Sequence, residues 1–317
     1  MMPSMSHPIL VTSYRDPDLD GVACSVAYAE LLRAQGREAV ATILGTPHLE
    51  ARHVAERFGI DLPSEVDPRT HEEIVLVDTS VVTEQDTHLP LDRVIEIIDH
   101  RAMHEAEKFP NAKAQIELVG SAATLVAERF FQADIRPSES SAHLLFGAIA
   151  SNTVNFKARV TTERDHRMAD WLRSLYPIPE DFIATMFLAK SDLTGDKLRE
   201  TLMGDFSYRP QGDLSIGIGQ LEIVEARELV EGRRGELLGI IEALREANPQ
   251  ANRIFISAID VIRGENIFLA PEADVRAILS EILDITFDAR FIAHRPGILM
   301  RKEIGPMWKV WRERQIV

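Results

Sequence analysis

Short apolar runs alternate with amphipathic stretches through the first half of the chain. "PILVTS" (residues 8–13) predicts a strand, and the spacing of "GVACSVAYAELLRAQG" (21–36) predicts a helix that Gly36 ends. "EAVATILG" (38–45) reads as a second strand, and "LEARHVAERFG" (49–59) as a second helix stopping at Gly59. "EEIVLVDTS" (72–80) and "RVIEIIDHR" (93–101) are compact β-branched runs, as in strands buried on both faces. "SAATLVAERFFQ" (121–132) returns to helical spacing, and "SSAHLLFGAIASNT" (140–153) is an apolar helix or strand with a polar end. This alternation predicts an α/β fold: a mostly parallel sheet with helices on both faces.

From "AKSDLTGDK" onward the texture changes. Polar and glycine-containing punctuation separates "LSIGIGQLEIV", "RIFISAIDVI" and "NIFLA" as strands. Helix "RRGELLGIIEALREAN" lies between the first two of them, and helix "ADVRAILSEILDIT" follows the third. The pattern divides the chain into a first domain over 1–188, a linker over 189–196 and a smaller α/β domain over 197–317. No internal repeat or low-complexity tract is present.

Composition narrows the class. The chain has 317 residues, 45% hydrophobic, enough for one large or two ordinary domains with cores. A formal charge of −15 argues against broad nucleic-acid or anionic-membrane binding, while leaving room for a small anionic substrate held by metal ions and local cations. The single cysteine, Cys24, cannot form an internal disulfide and falls in a helical apolar pattern. With no signal-like start and no run long enough to span a bilayer, the expected location is the cytoplasm.

Candidate chemistry collects at strand ends. In open parallel sheets ligands bind beyond the carboxyl ends of the strands. Asp18 and Asp20 follow the first strand, Asp78 closes "IVLV", and Asp99 and His100 close "VIEII". Hard divalent cations favour carboxylate oxygen, and Mn²⁺ also accepts imidazole. Two such ions roughly 3.5–4 Å apart can lower the pKa of a bridging water and clamp a phosphoryl group. Asp78, on a central strand, is the natural shared ligand.

These segments resemble the DHH phosphoesterase superfamily. "DPDLDG", "LVDTS", "IIDHRAMHEAEKF" with "ELVGSAATLVAERF", and "LFGAIASNTVNFKARVTTERD" are similar to its four motifs, in order. "GILMRKEIGP" resembles a substrate-binding strand in the second (DHHA2-type) domain of manganese-dependent inorganic pyrophosphatases and their exopolyphosphatase and prune relatives. The resemblance implies Asp18 and Asp20 on one ion each, Asp78 bridging, His100 completing one ion and Asp99 supporting His100. It further implies Arg301 and Lys302 gripping the phosphate chain as the domains close, and a homodimer through the first domain. Mn²⁺ is the implied metal, with Mg²⁺ or Co²⁺ as alternatives.

Three positions depart from that pattern. Tyr14 stands where the pyrophosphatases have a histidine, Arg101 replaces the second histidine of Asp-His-His, and Asn152 replaces a metal-binding aspartate. An amide oxygen at Asn152 could still coordinate a hard cation, without its charge. Arg101 offers a permanently charged fork to a phosphate oxygen, as in the Asp-His-Arg form of prune proteins. The expected function is therefore metal-dependent hydrolysis of pyrophosphate or short polyphosphate. A phosphate-ligand or protein-binding module with an impaired site is the alternative. A nuclease or diesterase ranks lower, since the chain has no Gly-Gly pair for the glycine-glycine-histidine motif of those relatives.

Overall fold

The computed structural model describes residues 8–82, 89–102, 104–211 and 214–315. Two compact units separate: Met1–Phe156 with Val160–Ala189, and Lys157–Arg159 with Lys190–Val317.

The first unit carries a five-stranded parallel sheet of β1 (Ile9–Thr12), β2 (Ala39–Ala41), β3 (Ile74–Val77), β4 (Val94–Asp99) and β5 (Lys113–Ile116), in the order β2-β1-β3-β4-β5. Every residue of β1 and β3 is buried, as a two-sided apolar run demands. The helices are α1 (Leu19–Ala34), α2 (Leu49–Phe58), α3 (Ala122–Gln132), α4 (Glu139–Asn152), α5 (Glu163–Leu175) and α6 (Phe182–Lys190). Helix α1 packs against α3, α4 and β1. Leu10, Ile74, Leu76, Val94 and Ile97 gather with Phe109 in a separate cluster that Val66, Leu89 and Leu91 help to cover.

Strand order places the chemistry. From β1 the chain crosses to β2 on one side, and β3 then lies on the other side of β1. The crevice between the carboxyl ends of β1 and β3 is the topological switch point of the sheet. The turn after β1 carries Asp18 and Asp20, and Asp78 immediately follows β3.

The second unit holds a sheet ordered β10-β9-β8-β7-β6, from β6 (Ser207–Gln211), β7 (Leu214–Ile223), β8 (Arg253–Asp260), β9 (Glu265–Leu269) and β10 (Ile292–Pro296). Only β7 and β8 pair in parallel. Alternation along β8 sends Ile254, Ile256 and Ala258 to a core with α7 (Lys197–Gly204), α8 (Ala226–Gly232) and α9 (Arg234–Ala247). Phe255 points the other way, to α10 (Ala273–Leu283) and α11 (Arg301–Gln315). Leu193, inside the stretch 189–196, is buried in the first of these cores.

Several local expectations change. The strand in "EAVATILG" shrinks to Ala39–Ala41, and "SSAHLLFGAIASNT" is helical. Edge strands β5, β6 and β10 carry no clear apolar alternation and escape the pattern. The largest correction concerns Arg301 and Lys302, which open α11 instead of lying on a strand. The Met300 amide donates to Glu303 Oε2, and Glu303 and Ile304 amides donate back to the Met300 carbonyl. Ile304 and Trp308, one helical turn apart, are both fully buried and fix the helix on the sheet. Among the described residues no helix is long and apolar enough to cross a membrane.

Candidate metal centre

The acidic turn after β1 separates its three carboxylates by giving each different partners. Asp16 turns through φ 55° and accepts the Thr46 amide at 2.6 Å. Asp18 is the N-cap of α1, its Oδ1 accepting the amides of Asp20 (2.9 Å) and Gly21 (3.1 Å). Asp20, in the first turn of α1, reaches the N-terminus of α3. Its Oδ1 accepts Ser121 Oγ (2.9 Å) and the Ala123 amide (2.8 Å); Oδ2 accepts the Ala122 amide (2.8 Å) and Asn152 Nδ2 (2.6 Å). Burial raises its pKa, and the nearby His100 and these donors work against that rise.

Asp78 is the opposite case. It follows β3 in the left-handed region, φ 54°, which aspartate tolerates better than most side chains. Its amide extends the β3–β4 ladder to the Ile98 carbonyl. Both carboxylate oxygens are buried without a hydrogen-bond partner, and the residue is 1% exposed. Among the described residues, longer ion pairs reach Oδ1: His100 Nε2 at 3.4 Å and Arg101 Nη2 at 3.8 Å. Burial, and then the charge of Asp20, push its pKa up to about 7.

His100 is aimed from behind. Nδ1 lies 3.0 Å from the Val119 carbonyl, an acceptor only, so the ring proton sits on Nδ1 and Nε2 is left for the centre. Nε2 also lies 3.8 Å from Asp20 Oδ2. Burial acts to lower the pKa of His100, but the adjacent Asp78 and Asp20 outweigh it and bring it up to about 9. Asp99 does not touch the imidazole, contrary to its expected supporting role. Its Oδ1 accepts the His100 amide (2.7 Å) and its Oδ2 the Ser80 hydroxyl, so it fixes the backbone and leaves the ring to Val119.

Ligand atoms of Asp20, Asp78 and His100 all lie within 4.8 Å of one another, the group able to hold an ion among the described residues. Two carboxylates and an imidazole suit a hard to borderline divalent cation such as Mn²⁺. The partnerless oxygens of Asp78 supply the physical fit, because a buried carboxylate this poorly matched gains most from a cation. The pair Asp78–His100 holds protons that an ion must displace. Loading with Mn²⁺ is therefore expected to release protons near neutrality, with affinity rising between about pH 6 and pH 9. Calorimetric titration in two buffers of different ionisation heat measures this, and a buffer-independent heat would contradict it.

The other expected residues lie elsewhere around this group. Asp18 spends one oxygen on its cap and stands outside the cluster. Asn152 presents its amide nitrogen to Asp20 and so donates to a ligand; turning the amide over would present its oxygen instead. The Arg101 guanidinium is 3.8 Å from Asp78 and 3.9 Å from Asp99, and lies over the Tyr14 ring at 5.3 Å from its centroid. In the second unit Arg301 grips Asp205 through both nitrogens of its fork, and its amide donates to Gln220 Oε1 at 2.6 Å. Lys302 is exposed on the first turn of α11. Cys24 is buried, its thiol 3.5 Å from Asp20 Oδ1.

Two parts of the support are absent from the sequence reading. The Val119 carbonyl is one, and Asp165 is the other. Asp165 is fully buried and accepts from the Gly120 amide, Thr124 Oγ1, and the amide and hydroxyl of Thr162; with the Asp165 amide donating back to the Thr162 side chain, the Thr162 amide bond completes a capping box on α5. It thereby ties the Val119–Gly120 turn to the fourth-motif segment. A Cβ on Gly120 would stand 2.5 Å from Thr153 Cγ2 and 3.0 Å from the Asp165 carboxyl, so only glycine fits that turn. The spacing T-x-x-D in "TTERD" is the one local signal, and it reports the cap alone.

Comparison with known proteins adds three findings. Residues 8–154 match the DHH family N-terminal domain, and residues 184–306 match the DHHA2 domain. The chain is 25% identical over 302 residues to the "Probable manganese-dependent inorganic pyrophosphatase" of Clostridium acetobutylicum, covering 94% of this chain and 96% of that one. It is 27% identical over 261 residues to the manganese-dependent inorganic pyrophosphatase of Methanothrix thermoacetophila, covering 82% and 83%. The crystal structure of a Methanococcus jannaschii protein, described as a family II inorganic pyrophosphatase, superposes with a TM-score of 0.74 at 25% identity over 95% of this chain and 98% of that one.

Proposed function

Since this chain belongs to the DHH family and carries a DHHA2 domain behind it, we propose that it is a divalent-metal-dependent phosphoanhydride hydrolase acting on pyrophosphate or short polyphosphate. The observation that carries the reading is the buried Asp78 carboxylate, without a hydrogen-bond partner, facing Asp20 and His100. Curated relatives named for manganese-dependent pyrophosphate hydrolysis support it across almost the whole chain. Mn²⁺ is the proposed metal, Mg²⁺ and Co²⁺ the alternatives.

A cation held by Asp20, Asp78 and His100 would acidify a water molecule and draw charge off a phosphoryl oxygen. The chain's own contributions follow from the geometry. Asp20 stays in place because four donors hold it. His100 keeps Nε2 forward because Val119 holds Nδ1. Arg101, 39% exposed, can meet a phosphate oxygen while it stays beside Asp78. In the second unit Arg301 and Lys302 remain the residues proposed for the charge of the phosphate chain, with Arg301's fork already set by Asp205.

A binding module with an impaired centre is the competing reading, favoured by the neutral Asn152 on Asp20. Chelated protein reloaded with Mn²⁺ should release phosphate from pyrophosphate and tripolyphosphate, and lose that activity in EDTA. Nucleotides, a short oligonucleotide and cyclic dinucleotides complete the panel. Mn²⁺ binding without turnover of any phosphoanhydride would favour the module. Turnover confined to diesters would move the chain to the phosphodiesterase side of its superfamily.

A further inference from the structure

We propose that Tyr14 and Arg101 together take the place of a second cation: the Tyr14 ring carries the Arg101 guanidinium beside Asp78, and the centre holds one divalent ion on Asp20, Asp78 and His100. The inference rests on the hydrolase reading above and specifies how its positive charge is assembled.

Four observations converge. First, the group of closely spaced ligands among the described residues comprises three: Asp20, Asp78 and His100. Second, the side towards Tyr14 offers another ion a phenol in place of an imidazole and one oxygen of Asp18. Asp18 Oδ1 is engaged by two amides of α1, and the Tyr14 hydroxyl accepts the Asp18 amide at 3.2 Å. Third, a permanently charged guanidinium already lies on that side, 3.8 Å from Asp78 Oδ1, where a dication would meet its repulsion. It is steered to this position by the electron-rich face of Tyr14, 5.3 Å away, and by Asp99 at 3.9 Å. Fourth, a permanent cation already offsets part of the carboxylate charge: Asp18, Asp20, Asp78 and Asp99 bring four negative charges, and one dication with the Arg101 guanidinium brings three positive. Asn152, neutral beside Asp20, adds nothing that a second dication would be needed to balance.

Tyr14 is thus a positioning residue, and Arg101 the group that would meet substrate. An arginine can do for a phosphate oxygen what a second ion does electrostatically, since it neutralises charge and offers two parallel donors. It cannot acidify a water. The two charges therefore divide the work, with activation left to the single ion and charge neutralisation shared.

The experiment needs only the intact wild-type chain. After equilibrium dialysis against excess Mn²⁺, elemental analysis should give one ion per chain, and the electron paramagnetic resonance spectrum should show isolated Mn²⁺ without exchange coupling. Two ions per chain with a coupled spectrum would overturn the inference and leave the hydrolase reading standing. One ion with no phosphoanhydride turnover would overturn the hydrolase reading and leave the one-ion centre. No bound Mn²⁺ would overturn both. In a Tyr14→His/Arg101→His variant that melts as a folded protein, stoichiometry should rise to two; a value still at one would show that these side chains do not exclude the second ion. Arg101→Ala should raise KM for pyrophosphate by about tenfold or more, with partial recovery on adding millimolar guanidinium ion. An Arg101→Ala variant whose KM is unchanged, or does not respond to guanidinium, would count against the assigned role.

Discussion

Asp78→Asn is expected to abolish Mn²⁺-dependent turnover, by about 10³-fold or more, while the protein stays folded. The size follows from what Asp78 lacks. Its oxygens have no hydrogen-bond partner that could substitute for a cation, so their charge is committed to the ion. Asparagine keeps the shape and removes the charge. Metal affinity should fall by more than about 100-fold, since even residues behind a ligand cost 10–100-fold when changed. In chelated protein the same substitution should flatten the dependence of stability on pH. The folded carboxyl, with a pKa raised from 3.8 to about 7, destabilises the fold increasingly as pH rises from about 4 to about 7, and by a constant amount above that. His100 adds a stabilisation that is complete below its ordinary value of 6.5 and is lost as pH rises through about 9. Stability of the chelated wild type should therefore decline from pH 4 to pH 9. Asp78→Asn removes both the Asp78 titration and the contact that raises His100, so its stability should change much less than that of wild type between pH 4 and pH 9. Activity assays and thermal melts in EDTA measure the two halves. Equal turnover, or an unchanged pH dependence of apoprotein stability, would contradict the assignment.

Asp165→Ala is expected to cause the largest loss of stability of any single change near the centre. Removing this carboxylate strands the Gly120 amide, the Thr124 hydroxyl and both Thr162 donors. Each stranded buried donor costs about 1–3 kcal/mol, so a loss of at least about 3 kcal/mol should appear in urea melts run with EDTA. Asp165→Asn, which keeps one acceptor, should lose about half as much. Because Gly120 follows the carbonyl that aims His100, Mn²⁺ affinity should fall along with stability. A loss below about 1 kcal/mol would mean that water replaces the carboxylate at little cost.

The strand-end acids were legible because a β-branched run that stops on a carboxylate is a local feature. Parallel strands in this order then bring Asp20, Asp78 and His100 to one crevice. Their partners were not legible. Asp20 is held from Ser121, Ala122, Ala123 and Asn152, more than a hundred residues downstream. Tyr14 and Arg101 meet across a similar gap, and only the tertiary fold shows that the two departures from the family pattern touch each other. Arg301 was misplaced for a related reason. "GILM" looks like a strand entering "RK", but the Glu303 cap and the burial of Ile304 and Trp308 start a helix there.

By itself the sequence determined the α/β class and the residue types able to hold a cation, because period, punctuation and ligand chemistry are properties of short segments. The tertiary structure alone decided the rest: which oxygen is left without a donor, which carbonyl turns the imidazole, and which aromatic face lies under the arginine. These depend on packing between distant segments, where a hydrogen bond forms or fails according to neighbours that no local pattern records.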